Sequence, residues 1–279
     1  IQTAKASPGQ ERLLPFGSSA PPGVRIASHY RPAATAGGDW FGYSYDPGDH
    51  TLNIYIGDVT GHGVSSSIIT GVACGAIYGA EAANGYSDHS PTITIENKLM
   101  RLAAAVNSVI YHTGRPNKLM TMAFVSVQLD TGLLNYINCG HPPIFVCGQD
   151  QKIRSLIQPS AHLGQCISPN FRAKAMQLNP GDSVFAYTDG LLENEGVNSQ
   201  KLSDRCLREL LASGLAPHDL CEKILAAADS VWRDTPLADD VTLSIFQWEG
   251  PITREDFQSQ LKTADRQTLW GIKDATKAQ

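Results

Sequence analysis

Much of what would tie this chain to a particular chemistry is missing. None of its six cysteines (Cys74, Cys139, Cys147, Cys166, Cys206, Cys221) forms a Cys-x-x-Cys pair, and its eight histidines show no His-Glu-x-x-His or other zinc spacing. The cysteines read as reduced, buried thiols of a cytoplasmic protein rather than as metal ligands or disulfides. No calcium loop with alternating oxygen ligands and a closing glutamate occurs, and no glycine-rich nucleotide loop. No run of Lys and Arg makes a nucleic-acid footprint, and the formal charge is −5. No apolar stretch is long enough to span a bilayer, and no signal peptide is visible. The chain opens at Ile1 without methionine, so an excised fragment is expected. Charged residues are only 18%, which argues against disorder, and 42% hydrophobic residues over 279 positions support a sizeable core.

What is present is a set of aspartates beside short apolar runs. They occur in Gly37-Gly38-Asp39-Trp40, in Gly57-Asp58-Val59-Thr60-Gly61-His62-Gly63, in Thr188-Asp189-Gly190 and in Asp239-Asp240-Val241-Thr242. Asp58 follows Leu52-Asn53-Ile54-Tyr55-Ile56, Asp189 follows Val184-Phe185-Ala186-Tyr187, and Asp239 precedes Val241 to Phe246. Each run reads as a buried strand. A carboxylate at a strand end is held rigidly and still reaches solvent. Converging carboxylates repel one another unless a cation neutralises them. Hard oxygen donors without His or Cys suit Mg²⁺ or Mn²⁺ better than Zn²⁺. Any one of these aspartates alone reads more readily as turn chemistry.

Five blocks stand in a specific order: the lead-in Leu13-Leu14-Pro15, the Gly-Gly-Asp block, Gly57 to Gly63, Asn138-Cys139-Gly140-His141-Pro142-Pro143, and Tyr187-Thr188-Asp189-Gly190-Leu191-Leu192-Glu193. Over roughly residues 13–247 the chain resembles the metal-dependent (PPM-type) serine/threonine protein phosphatases, in their bacterial SpoIIE/RsbU-like branch. The resemblance implies a four-layer α-β-β-α sandwich of largely antiparallel sheets with flanking helices.

The pattern itself gives an α+β domain. Strands are expected at 24–31, 39–45, 52–58, 121–129, 133–139, near 144–147, 152–157, 173–178, 183–187 and at 241–247. A loop is expected around 85–91. Helices are expected at 64–83, 95–112, about 201–212 and 218–232. In the first, Val64, Ile68, Val72, Ala76 and Ala80 recur at i+4 and mark the expected buried face. Gly71, Gly75 and Gly79 lower its propensity and would let another backbone come close. In the second helix, Leu99, Leu102, Val106 and Ile110 form the face. Residues 1–23 read as a linker from an upstream regulatory domain, 24–248 as the phosphatase domain and 249–279 as an extension. Phe257, Leu261, Leu269 and Trp270 in that extension either dock back or serve an interaction.

The resemblance also assigns roles. Asp39, Asp58, Asp189 and Asp239 would be the catalytic metal ligands, with Asp58 bridging two Mn²⁺ or Mg²⁺ ions and the Val59 carbonyl as a main-chain ligand. Asp239 is chosen over Asp240 because the first residue of that motif is the family's ligand. His62 is expected at the helix start, with a proton-donating role open, and His141 at a strand end, with a substrate role open. Thr60 and Thr188 are candidates to orient ligands, and Glu193 a structural neighbour. Gly42 stands where many relatives carry another aspartate, and 196–204 lacks a Phe-Gly element common after this Thr-Asp-Gly block. The implied reaction is in-line attack by metal-activated water on a phosphoserine or phosphothreonine, without a phosphoenzyme or a nucleophilic cysteine. Implied partners are a phosphoprotein, such as a STAS-type anti-sigma-factor antagonist, and an upstream sensor or receiver domain; a homodimer through the linker is also considered. Nucleic acid is not expected. The alternative is a catalytically weak or silent partner-binding signalling domain of the same fold, and a small-molecule phosphatase would share the metal site.

Overall fold

The alternation along the last strand divides the interior in two. In β10 (Val241–Trp248), Val241, Leu243 and Ile245 pack in one apolar cluster, and Phe246 and Trp248 pack in another. Successive strand residues face opposite sides, so one sheet serves both a helical layer and a second sheet. The computed structural model describes residues 20–86, 93–114 and 117–263.

The first sheet has the order β1-β10-β9-β6-β7, with β1 (Val24–Arg31), β9 (Ser183–Tyr187), β6 (Ile144–Cys147) and β7 (Ile153–Leu156). The second has the order β2-β3-β4-β5-β8, with β2 (Trp40–Asp46), β3 (Thr51–Val59), β4 (Met120–Gln128), β5 (Leu133–Cys139) and β8 (Lys174–Gln177). Every strand pair is antiparallel. Helices α1 (Val64–Tyr86) and α2 (Ile95–Thr113) cover the outer face of the second sheet. The short α3 (Gly190–Glu193) follows β9. Next, α4 (Asp204–Leu211) packs on α5 (Pro217–Trp232), which covers β1 and β10. The expected α+β, four-layer sandwich is the observed one.

Helix α2 buries Leu99, Leu102, Val106 and Ile110 as its periodicity requires. Helix α1 does not follow the expected face. Ile69, Ala73, Cys74 and Ile77 are buried, whereas Val64 is 70% and Ile68 60% exposed. The helix is apolar nearly all round, so its sequence contains more than one i+4 series. Polar partners select among them: Thr70 donates to the Gly38 carbonyl at 2.7 Å, and Glu81 accepts from Tyr55 at 2.6 Å and from Ser44. Gly75 and Gly79 face open space, where an added Cβ would meet nothing within 4 Å. They therefore admit no neighbouring backbone, contrary to the expectation. The helix runs to Tyr86, past the expected end, and most of the expected 85–91 loop lies outside the described residues.

The start of the extension docks. Phe257, in α6 (Arg254–Thr263), is completely buried and stacks on Tyr45 at 4.2 Å between ring centres. Leu261 packs against the same core, while Leu269 and Trp270 lie outside the described residues. Residues 1–19 of the expected linker also lie outside them. All six cysteines are free. Four are buried as expected, but Cys166 is exposed and Cys206 half-exposed. Among the described residues no helix is long and apolar enough to cross a membrane.

Candidate active site

Two sheets each bring two aspartates to one rim of the sandwich. Asp39 immediately precedes β2, and Asp58 is the penultimate residue of β3. Trp40 pairs with Gly57, so the two aspartates stand side by side at the end of the second sheet. Asp189 follows β9 with one residue between, and Asp239 precedes β10 with one residue between, in the first sheet. Alternation aims Asp58 inward: Tyr55 reaches Glu81 on α1, so positions 54, 56 and 58 face the other way, toward the first sheet.

Asp39 is 1% exposed, and its Oδ2 accepts from the Thr188 hydroxyl at 2.7 Å and the Thr242 hydroxyl at 2.6 Å. Both threonines belong to the opposite sheet, so Asp39 is held across the gap. Burial drives the Asp39 carboxyl well above the usual carboxylate range, with Asp58 and Asp240 adding repulsion. Asp58 is pushed up to about 7 by burial and by the charges of Asp189 and Asp239, while Asp39 stands within hydrogen-bonding reach of it. Burial also raises Asp189, with Asp239 and Glu193 adding to it, and raises Asp239. The exposed His62 lies near enough to Asp239 to oppose that rise. All four predicted aspartates therefore share one electrostatic neighbourhood.

The adjacent glycines have separate steric reasons. A Cβ on Gly38 would lie 2.7 Å from the Val59 carbonyl, 3.0 Å from the Gly61 carbonyl and 3.3 Å from Asp58 Oδ1. These three oxygens thus face a common space that only a hydrogen atom leaves open. A Cβ on Gly37 would overlap Asp240 Oδ2 and the Tyr30 hydroxyl. At Gly42 a Cβ would run into the Trp40 ring, which occupies the room another side chain would need.

Several roles fall differently from expectation. The Thr60 hydroxyl donates to the Leu119 carbonyl at 3.1 Å, holding the turn after β3 to β4 rather than a ligand. Thr188 does hold an aspartate, Asp39. His141 accepts or donates at Nδ1 with the Thr121 hydroxyl at 3.0 Å, and burial pushes it down to about 3 against the Tyr187 main chain. Burial thus favours its neutral form. Asn138 locks its turn, accepting from the His141 N–H at 2.7 Å and donating to the His141 carbonyl at 3.0 Å. Cys166 and Arg172 stand at Cys-x₅-Arg spacing, which a cysteine nucleophile for phosphate would use. The loop between them leads into strand β8 rather than a helix N-terminus, so it lacks the usual phosphate cradle.

Sequence reasoning missed Asn194. It is 1% exposed and uses its whole amide. Nδ2 donates to the Gly190 and Asp239 carbonyls at 2.8 Å each, and Oδ1 accepts from Ala238 N at 2.7 Å and Asp239 N at 3.0 Å. It thereby ties the turn after Asp189 to the loop carrying Asp239. Between two glutamates in the sequence it reads only as a polar turn residue.

The fold defines a PP2C-like α+β sandwich. The SiaA-PP2C domain of Pseudomonas aeruginosa matches with a TM-score of 0.66 at 19% identity, over 80% of this chain and 85% of that one. The RsbU and RsbW domains of Rv1364c from Mycobacterium tuberculosis match at 0.62 and 26% identity, over 91% of this chain and 65% of that one. RsbX in complex with magnesium matches at 0.60 and 13% identity, over 82% of this chain and 97% of that one. A family profile, Stage II sporulation protein E (SpoIIE), matches residues 48–249, well over half the chain. The chain belongs to the SpoIIE family. The match takes in Asp58, Asp189 and Asp239 and begins after Asp39. Phosphoserine phosphatase RsbP of Bacillus subtilis is 24% identical over 170 residues, 61% of this chain and 40% of RsbP. Protein IcfG of Synechocystis is 21% identical over 231 residues, 77% of this chain and 36% of IcfG. The chain spans less than half the length of these curated relatives.

This fold family implies a divalent metal. The donors suit one: four carboxylates and a main-chain carbonyl, all hard oxygens, with like charges forced together. Among the described residues no group of three or more His, Cys, Asp or Glu side chains is set as a metal cluster.

Proposed function

We propose that this chain is a phosphatase domain, dependent on Mn²⁺ or Mg²⁺, that hydrolyses phosphoserine or phosphothreonine on a protein in bacterial signalling. The observation that carries this reading is the convergence of Asp39 and Asp58 from one sheet with Asp189 and Asp239 from the other, like charges that cations would relieve. Asp39, Asp58 and the Val59 carbonyl would hold one ion, and Asp58, Asp189 and Asp239 a second. When bound, the ions supply positive charge to the phosphoryl oxygens and make water more acidic. The chain's own part is to keep the ligands aimed. Thr188 and Thr242 fix Asp39, and Asn194 fixes the backbone of Asp239.

Phosphoserine as the reacting group is supported by the name of RsbP, a phosphoserine phosphatase. A STAS-type anti-sigma-factor antagonist is the partner class we favour. Residues 24–248 would be the phosphatase domain, 1–23 a linker from an upstream sensor or receiver domain through which a homodimer could form, and 249–279 an extension. Six free cysteines fit a cytoplasmic site of action.

The test is phosphate release from a panel of phosphoproteins with Mn²⁺, with Mg²⁺ and with EDTA. Release should need a cation and should fall at least about 100-fold in Asp58→Ala, since even partners of ligands act on that scale. Undiminished release in Asp58→Ala, or equal release in EDTA, would overturn the reading.

A further inference from the structure

We propose that Asp240 is a positioning residue: its carboxylate sets Asp39 by holding the main chain of the loop that carries it, without itself being a metal ligand. The inference rests on the metal reading above for one of its two readouts.

Asp240 is 1% exposed. The partners the structure gives its carboxylate are main-chain N–H groups of residues 33–39, which cross from β1 in one sheet to β2 in the other. Oδ1 accepts from Ala33 N at 2.7 Å. Oδ2 accepts from Gly38 N at 2.7 Å and, more weakly, from Asp39 N at 3.4 Å. The side chain of Asp39 is meanwhile held at Oδ2 by Thr188 and Thr242. Backbone and side chain of one predicted ligand are thus fixed separately, and both anchors come from the first sheet.

A carboxylate is the group this arrangement needs. Both oxygens take N–H donors, whereas an asparagine has one acceptor and would turn its NH₂ toward Ala33 N or Gly38 N. Gly37 makes the approach feasible, because a Cβ there would overlap Asp240 Oδ2. On the far side, a Cβ on Gly190 would overlap the Asp240 carbonyl, so the main chain of Asp240 also rests against the turn after Asp189.

Two variants and two measurements decide the matter. Amide hydrogen exchange in the metal-free protein reads the loop, and calorimetric titration with Mn²⁺ reads the site. In Asp240→Asn the amide of Ala33 or Gly38 should exchange at least about tenfold faster than in wild type. Mn²⁺ should bind about 10–100-fold more weakly, as for partners that orient metal ligands. Gly37→Ala should produce both effects with the Asp240 carboxylate still present, which keeps the test decisive if Asp240→Asn folds poorly. Loss of all Mn²⁺ binding in Asp240→Asn with the loop amides still protected would make Asp240 a ligand and overturn the proposal. Variants that exchange as wild type does would also overturn it. A wild-type protein that bound no Mn²⁺ would count against the metal reading alone, since the exchange data would still show whether Asp240 holds the loop.

Discussion

Strand β3 begins at one end of the sandwich and finishes at the other, and the two ends obey opposite rules. At its start, the β2–β3 turn is thoroughly satisfied. His50 bonds Tyr45 at Nδ1 (2.7 Å) and the Ile252 carbonyl at Nε2 (2.8 Å). Lys98 bridges Asp46 at 3.0 Å and Asp49 at 2.6 Å. Arg254 donates to the Pro47 carbonyl at 3.1 Å and the Gly48 carbonyl at 2.7 Å, and Phe257 closes the aromatic stack. At its finish, Asp58 meets Asp39, Asp189 and Asp239, and their like charges crowd one another. Sites for cations are expected to break local rules in this way and to lean on consistent structure elsewhere. The difference teaches where stability resides and where it has been given up for binding.

Phe257→Ala is the largest break in this comparison. Emptying a fully buried aromatic site should cost about 3–5 kcal/mol in urea unfolding. Affinity for Mn²⁺ should stay at the wild-type value, because well-separated sites add independently. A parallel loss of Mn²⁺ affinity would show that the two ends are coupled through β3.

Proton linkage sharpens the other end. Asp58 in the fold lies near 7, against about 3.9 in an unfolded chain. Between those values the folded state holds a proton that the unfolded state has lost, so this group's contribution falls as pH rises and is flat above 7. His29, pushed down to about 4 by burial, contributes the opposite slope between about 4 and 6.5. The quantity to measure is therefore a difference. In EDTA, the stability of Asp58→Asn relative to wild type should grow by about 2 kcal/mol or more from pH 4.5 to 7.5, since one pKa unit is worth about 1.4 kcal/mol. Saturating Mn²⁺ should reverse the advantage. A pH-independent difference would show that the carboxylates are not crowded.

The smallest effect belongs to α1. Gly75 faces open space in a helix, so Gly75→Ala should stabilise by about 0.5–1 kcal/mol, with Mn²⁺ affinity unchanged. A loss of stability would restore the close backbone approach that the structure denies.

How far each region could be read beforehand follows from the kind of signal it carries. Strands gave clear boundaries because alternation and turn residues are local: the Asp130-Thr131-Gly132 hairpin and the Asp46 to Asp49 turn lie where expected. Helix α1 was misphased because an almost uniformly apolar helix has no single face until Glu81 and Thr70 meet their partners. Asn194 was invisible because its four hydrogen bonds run to residues near 190 and near 239, which only the fold brings together. The docked Phe257 was undecided for the same reason, since its partners Tyr45 and His50 lie more than two hundred positions away.

The sequence by itself determined the α+β class and the chemistry on offer, and the family resemblance added the layers. Periodicity is local, and so are the oxygen donors, the glycine pairs and the absence of zinc spacings. Only the tertiary structure decided which acids meet and what each is for. Asp239 and Asp240 are adjacent and identical in type, yet Asp239 stands beside Asp58 and Asp189 while both oxygens of Asp240 are taken by N–H groups of the loop before Asp39. Repulsion, burial and hydrogen bonding depend on distance in space, and two neighbours in a chain can face opposite ways at the end of a strand.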